Sequence, residues 1–462
     1  MTFSSYYGPS VYLSGDHTHH DYWWNESSLI EQAFDCSENK TSIHIKNLDV
    51  TPTLSDHVID RIRDPRKTEG WIKFTVSECS DNENLIKVVK AALSHFRCFE
   101  LADMKLIGTN LIRYLSTHMA MSEINPALSN TMLGRLEMRE VDLSTEQAYI
   151  FSEGISKTTS LRELSLCSVT MDSQGFRKLA LGFRANKSIE NLQIVRCQLH
   201  DRQVSMLAEA LSNHDRLNEL DLTGNYCRDF GLKSLSRLLS MKNCELRVLK
   251  LNDQYYNMIT TSEVDQSTLR VEYLLEGLQQ NTSLQELQLS RNELTDVDAL
   301  LSILWKCPTL KTLDLLGNNI TQLASLRRFW SQCRPSRLQK LELSYNPFHY
   351  NHAKRVRDEN AMWLCRILES HPELRYAGKK SYLETFWKKT CHHAQIQHFL
   401  DLNETGRVLV ANNTVPLAFW PFVFERANKQ FEGSRRANVL FHLLHGPVTT
   451  NGRGCSDPTK MK

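Results

Sequence analysis

The stretch Leu284-Gln-Glu-Leu287-Gln-Leu289-Ser-Arg-Asn292-Glu-Leu294 decides how the rest of the chain is read. Its central Leu-x-Leu alternates with the period of a strand, so the leucines share one face and the residues between them the other. The same spacing returns at Leu310, Leu313, Leu315, Asn318 and Ile320, and at Leu338, Leu341, Leu343, Asn346 and Phe348. Upstream it gives Leu217, Leu220, Leu222, Asn225 and Cys227, then Ile189, Leu192, Ile194, Cys197 and Leu199. Leu161-Leu164-Leu166, Leu133-Leu136-Met138 and Leu246-Leu249-Leu251 complete eight copies, whose starts lie 28, 28, 28, 29, 38, 26 and 28 residues apart. Eight copies in register exceed chance. The long step contains a polar insertion, Asp253 to Gln266.

The second half of each unit changes period. Phe176, Leu179, Ala180 and Phe183 follow i, i+3, i+4, i+7, as do Val204, Leu207, Ala208 and Leu211, and Val271, Leu274, Leu275 and Leu278. Val297, Leu300, Leu301 and Leu304 repeat it, and so do Ala361, Leu364, Cys365 and Leu368. That spacing puts an apolar stripe along one side of a helix. One strand and one helix per unit predict an α/β solenoid, with parallel strands on the concave face and helices on the convex one.

On these residues the chain resembles the ribonuclease-inhibitor type of leucine-rich repeat, from about Met132 to Ala377. The resemblance implies that an Asn or Cys side chain bonds backbone groups in the turn after each strand, here Cys197, Asn225, Asn292, Asn318 and Asn346. Val141, Val169 and Gln254 depart from it; a valine has no group to bond the turn, so the first units are expected to be less regular.

The flanks give further segments. Residues 1–70 lack periodicity before about Lys67 and are expected to be partly disordered. Residues 71–131 read as degenerate repeats or an N-terminal cap, with a strand at Trp71 to Val76, a helix at Leu85 to Phe96, a worn unit at Phe96, Phe99, Leu101, Met104 and Leu106, and a helix at Leu111 to Met121. The array proper is expected over 132–377, a small helical module over 378–448, with a turn at 402–407, and a disordered tail over 449–462. The run Leu400-Asp-Leu-Asn-Glu-Thr-Gly-Arg-Val-Leu-Val410, with the aromatic segment Val415 to Asn428 and Ala437 to Leu444, resembles a C-terminal module of uncharacterised algal (diatom-type) leucine-rich-repeat proteins. No activity follows from that resemblance.

Bulk composition excludes several classes. A formal charge of +2 over 462 residues gives no electrostatic case for nucleic acid or a membrane surface as the main partner. The longest strongly apolar run, Val415 to Phe424, is about half of a membrane span. The N-terminus has no basic segment followed by an apolar one, and twelve cysteines are scattered with no CxxC pair. Together these predict a cytoplasmic or nuclear protein with reduced thiols.

No catalytic, cofactor or metal motif stands out, and none is expected. His17, His19 and His20 lie in an irregular segment, and Cys391, His392, His393 and His398 are spaced so as to split a helix face. Cys167, Cys197 and Cys227 recur near strand ends and read as small buried packers. Phe419, Trp420, Phe422 and Phe424 suit a cap over the last repeat.

The concave face remains as the candidate site. Its outward residues include Glu137, Glu163, Glu219, Asp221, Glu286, Asp314 and Glu342 against Arg135, Arg139, Lys250 and Lys340, a balance of −3, while residues 377–448 carry +4. Glu137, Glu163, Glu219, Asp221, Lys250, Glu286, Asp314 and Glu342 are therefore the predicted contacts for a protein partner, and mild acidity favours a basic one. The expected function is a non-catalytic protein-binding scaffold. Two other readings stand beside it: regulation of a small GTPase in the manner of GTPase activators, which share the repeat type, and a hydrolase-type activity within 378–448.

Overall fold

The computed structural model describes residues 10–14, 42–46, 50–63, 73–79, 82–106, 108–124, 133–254, 269–295, 307, 309–321, 338–347, 354–370, 374 and 393–404. The chain divides into two compact units, Met1–Thr260 and Thr261–Lys462.

In the first unit the strands in chain order are β1 (Ser10–Ser14), β2 (Ser42–Lys46), β3 (Lys73–Ser77), β4 (Cys98–Ala102), β5 (Arg135–Arg139), β6 (Asp142–Leu143), β7 (Glu163–Cys167), β8 (Thr170–Met171), β9 (Asn191–Val195), β10 (Glu219–Asp221) and β11 (Val248–Lys250). All but β6 and β8 pair in parallel in sequence order. β6 and β8 form their own short ladder in the turns. The register aligns one core residue per strand: Phe74, Phe99, Leu136, Leu164, Leu192, Leu220 and Leu249 are paired in succession. A one-residue slip would turn every leucine to the solvent, so the apolar pattern fixes the register.

The sheet reaches further upstream than the leucine spacing. β2 and β1 extend the ladder, and the helix α1 (Pro52–Arg63) buries Leu54, Val58 and Ile62 between β2 and β3. The signal for β2 was its Ile43-His-Ile45 alternation, too short to register as a repeat by itself. The expectation of partial disorder in 1–70 otherwise concerns residues outside the described ones. The strands and helices expected in 71–124 are present, with Met104 at the Asn/Cys position and 2% exposed.

The remaining helices of this unit are α2 (Glu83–Leu93), α3 (Asn110–Ile124), α4 (Thr145–Lys157), α5 (Ser173–Ala185), α6 (Asp201–Leu211) and α7 (Asp229–Leu239). Their starts are written in the sequence. Ser144 and Gln147 form a reciprocal capping box on α4, Asp172 caps α5 through Gly175 N, and Asn82 caps α2 through Leu85 N. α7 borrows its cap from the neighbouring unit: Asp201, at the first position of α6, accepts from the backbone amides of Arg228, Phe230 and Gly231 at 2.6, 3.2 and 3.0 Å. Adjacent helices approach closely where a serine meets a glycine. Ser116 Oγ donates to Ile150 O at 2.6 Å beside Gly154, and Ser152 Oγ donates to Lys178 O at 2.6 Å beside Gly182.

In the second unit a 3-10 turn (Val271–Leu274) leads into α8 (Leu275–Gln280), and β12 (Glu286–Gln288), β13 (Thr312–Asp314) and β14 (Lys340–Glu342) pair in parallel with Leu287, Leu313 and Leu341 in register. Then come α9 (Lys354–Ser370) and α10 (His393–Glu404). The predicted turn at 402–407 is corrected in its first half, since Leu402 to Glu404 end α10. The physical reason is Asn403, fully buried, whose Nδ2 donates to Leu368 O and Leu374 O at 3.1 and 2.9 Å and fastens α10 onto α9. The helix at Val297 to Leu304, most of the insertion after Asp253, the aromatic group at 419–424 and the side chains of the two histidine clusters lie outside the described residues.

Candidate partner-binding surface on the strands

Each unit turns sharply after its strand, and one buried side chain holds the turn together. Asn225 is 0% exposed. Its Oδ1 accepts from Cys197 N and Leu199 N at 3.1 Å each, and its Nδ2 donates to Ile194 O and Leu222 O at 2.7 and 2.8 Å. One side chain thereby satisfies backbone groups of two successive units. Asn318 repeats this with Asn292 N, Leu294 N, Leu289 O and Leu315 O. Asn346 takes Ile320 N and donates to Leu315 O and Leu343 O.

Cys197 occupies the same place with a thiol, donating to Leu166 O and Val195 O. So does Cys79 towards Ile45 O and Ser77 O, two units upstream of the array expected from 132, within the stretch read as degenerate repeats or a cap. Gln254 is not a departure. Its Oε1 accepts from Cys227 N at 3.0 Å and its Nε2 donates to Leu222 O at 2.7 Å, because its longer side chain still reaches the turn. Val141 and Val169 are both fully buried there and fill space only. Burial pushes the Cys197 thiol up to about 12 and the Cys227 thiol well above its ordinary range, so both behave as core residues.

The residue just before that position is left-handed in unit after unit: Glu78, Asp103, Glu140, Ser168, Arg196, Gly224, Asp253, Arg291, Gly317 and Tyr345 all have φ between 50° and 73°. β7 and β9 alternate half-buried and buried residues, with Glu163, Ser165 and Cys167, then Asn191, Gln193 and Val195, facing outward.

The predicted contact residues differ in what they do on this face. Glu137 is 3% exposed and sits at the centre of an ion-pair network: Lys73 Nζ at 2.8 Å, Arg135 at 2.9 Å and Arg139 at 3.5 Å. Lys73 also meets Glu100 at 2.5 Å, Arg139 meets Glu100 at 2.9 Å, and Arg135 meets Glu163 at 3.1 Å. Burial would raise the pKa of Glu137, but hydrogen bonds and charge from Lys73 and Arg135 outweigh it and hold the carboxyl at about 2. Glu163 keeps its side chain 42% exposed.

Further along, Lys250 bridges Glu219 at 2.6 Å and Asp221 at 3.6 Å. Asp221, Asp314 and Glu342 each accept from the backbone amide two residues on, Thr223 N, Leu316 N and Ser344 N, at 2.9 Å. They close the turn. Glu286 accepts from Gln288 Nε2 at 2.5 Å. Lys73 and Glu100, central to the network, escaped the sequence reading because their strands lack the leucine spacing. Only the register of β3 on β4 brings them together.

Among the described residues no group of three His, Cys, Asp or Glu side chains is placed to hold a metal ion, and no helix is long and apolar enough to cross a membrane.

Parallel strands in sequence order, helices between successive strands such as α4 to α7, and Asn, Cys or Gln side chains bonding most of the described turns define a leucine-rich-repeat solenoid of the α/β class. The family model "Leucine Rich repeats (2 copies)" matches residues 282–328. The mouse protein "NACHT, LRR and PYD domains-containing protein 4C" is 24% identical over 258 residues, 55% of this chain and 24% of that protein. The ribonuclease inhibitor of mouse is 27% identical over 246 residues, 52% of this chain and 50% of its own length; that of pig is 28% identical over 224 residues, 48% and 45% respectively. The chain thus spans about a quarter to a half of the curated relatives it matches. A chain of the solved complex "Crystal structure of Rad7 and Elc1 complex in yeast" shares 15% identity with it at a TM-score of 0.40, covering 63% of this chain and 67% of that one, too low to carry an argument.

Proposed function

We propose that this chain is a protein-binding scaffold that takes a protein partner on its strand face and catalyses no reaction itself. The observation that carries the reading is the outward row of β7 and β9. Glu163, Ser165, Cys167, Asn191, Gln193 and Val195 are half-buried side chains standing on fixed parallel strands. Such a row is ordered before any partner arrives, so little conformational entropy opposes association. Similarity to proteins named as ribonuclease inhibitors supports a binding role for the repeat array.

The carboxylates expected to attract a basic partner are engaged inside the fold: Glu137 and Glu219 by cations, Asp221, Asp314 and Glu342 by backbone amides. Glu163, paired with Arg135 yet 42% exposed, and Glu286, bonded to Gln288, are half-buried on this face and close no turn.

The test is affinity purification of the full chain with two variants. Ser165→Trp combined with Gln193→Trp, which blocks the face whatever the charge of the partner, is expected to lose the partners held by the unaltered protein. The helix-side control Arg177→Glu with Lys178→Glu is expected to keep them. Identical capture by the strand-face variant sinks the proposal.

A further inference from the structure

Arg196 stands in the left-handed position after β9 and is exposed. Among the described residues no carboxylate lies within ion-pairing distance of it, nor of Arg97 and Arg247 just before β4 and β11, although the five cations within the first unit's strands, Lys46, Lys73, Arg135, Arg139 and Lys250, all have one. Its side chain has a seat. The next unit places Gly224 at the equivalent position with φ +73°, and a Cβ there would lie 2.6 Å from Arg196 Cγ. Gly224 is therefore needed twice, for its backbone angle and for the room it leaves to the arginine stem.

The arrangement recurs independently in the second unit. Arg291 occupies the same position after β12, is exposed, and lies with Cγ 3.1 Å from where a Cβ on Gly317 (φ +68°) would be. These two are the positive-φ glycines of the described residues, and each sits beside an arginine of the preceding unit. In units without such an arginine the left-handed position of the next unit carries a side chain: Asp103 is followed one unit on by Glu140, and Glu140 by Ser168.

We propose that Arg196, laid across Gly224, is an anchor for a carboxylate on an acidic segment of the protein partner, and that Arg291 over Gly317 is a second anchor of the same kind. This rests on the strand face being the binding surface, and it reverses the sign of partner that the acid count of the strands suggested. The physical basis is charge complementarity. On the strands Glu100, Glu137, Glu163, Glu219 and Asp221 are paired with cations of the fold and Asp314 and Glu342 are bonded to backbone amides, whereas among the described residues neither exposed guanidinium has a carboxylate partner. A guanidinium presents a planar fork that matches a carboxylate with two parallel hydrogen bonds, and a stem packed over glycine limits how much freedom it loses on binding. Around Arg196 the neighbouring outward residues Cys167, Val195 and Thr223 are uncharged, so a carboxylate arriving there meets no like charge on them.

The experiment selects a random 12-residue peptide library displayed on phage against the full chain, then measures the enriched peptides by fluorescence anisotropy at low and physiological salt. Enriched peptides are expected to carry an excess of Asp and Glu, to bind at least tenfold more weakly to Arg196→Glu, and to be only partly restored by Arg196→Lys, which keeps the charge but not the fork. Enrichment of basic peptides, or binding indifferent to both Arg196→Glu and Arg291→Glu, overturns the proposal. Peptides that lose binding to Ser165→Trp with Gln193→Trp but not to the arginine variants leave the strand-face reading standing and sink the anchors alone. Peptides indifferent to every strand-face variant sink both. A 20-residue single-stranded DNA bound with the same dependence on Arg196 also overturns it, since the anchor would then serve phosphates of nucleic acid.

Discussion

Asn225 shows how much a single buried side chain does in this fold. Replacing it with alanine leaves two amides and two carbonyls of adjacent units without their partner in a fully buried place. Asn225→Ala is expected to cost roughly 2–4 kcal/mol, read by urea unfolding, because each orphaned buried group carries a desolvation penalty. A loss below about 0.5 kcal/mol, the level of an ordinary surface substitution, would contradict the bonding described.

His214 is the converse case. Asn186 and Asn281, three residues before their repeats begin, accept from the two backbone amides that follow: Ser188 N and Ile189 N, and Ser283 N and Leu284 N. His214 stands at the same place before Leu217, is 6% exposed, and has no partner for Nδ1. Burial, helped by the Lys187 charge, lowers its pKa to about 4. A neutral histidine in the fold and an ordinary one in the unfolded chain mean that the unfolded state binds the proton first. Stability is fully present above about pH 6.5 and drains away as pH falls towards 4. His214→Asn should raise the melting temperature and flatten this slope; an unchanged profile would refute the assignment. Neither the Asn bonds at these positions nor the unpartnered nitrogen of His214 could be read from the spacing, which does not show which buried nitrogen lacks a partner.

At the scale of elements, two kinds of contact hold neighbours together. On the helix side, α4 and α5 approach so closely at Gly182 that a Cβ would lie 2.7 Å from Ser152 O. Gly182→Ala must therefore push the helices apart, and overpacking of this kind costs about 1–3 kcal/mol. Thermal unfolding measures it, and a stabilised variant, as helix propensity alone would give, would argue against the close approach. On the strand side, Glu137 is held ionised at about 2 by Lys73 and Arg135. Its contribution is present above about pH 4.5 and lost as pH falls through 2, so Glu137→Gln should be less stable at pH 7 and converge on the parent in acid. A constant difference across that range would mean that the carboxylate charge is not what matters.

The elements themselves were legible to different degrees. Leucine spacing gave the strands from Arg135 onward because burial on one face forces period two, whereas the helix starts at Ser144 and Asp172 were fixed only by the capping bonds seen in the structure. β2 and α1 were not read, since two isoleucines carry too little periodicity. The Lys73–Glu100–Glu137 network was illegible because it depends on register between strands far apart in sequence.

For the molecule as a whole, the repeat architecture was present in the sequence and the partner surface only in part. Outward positions followed from alternation, but not which of them were already taken; Asp221, Asp314 and Glu342 look alike in sequence to any exposed acid until their turns are seen to bond them. The central claim is that the strand side is the side that binds. Hydrogen–deuterium exchange of the full chain, alone and with a partner recovered by affinity purification, tests it most directly. Slowed exchange is predicted in the segments ending β7 and β9, around Cys167 to Ser168 and Val195 to Arg196, with α4, α5 and α6 unchanged. Protection confined to α4, α5 and α6, with those turns unaffected, would contradict it.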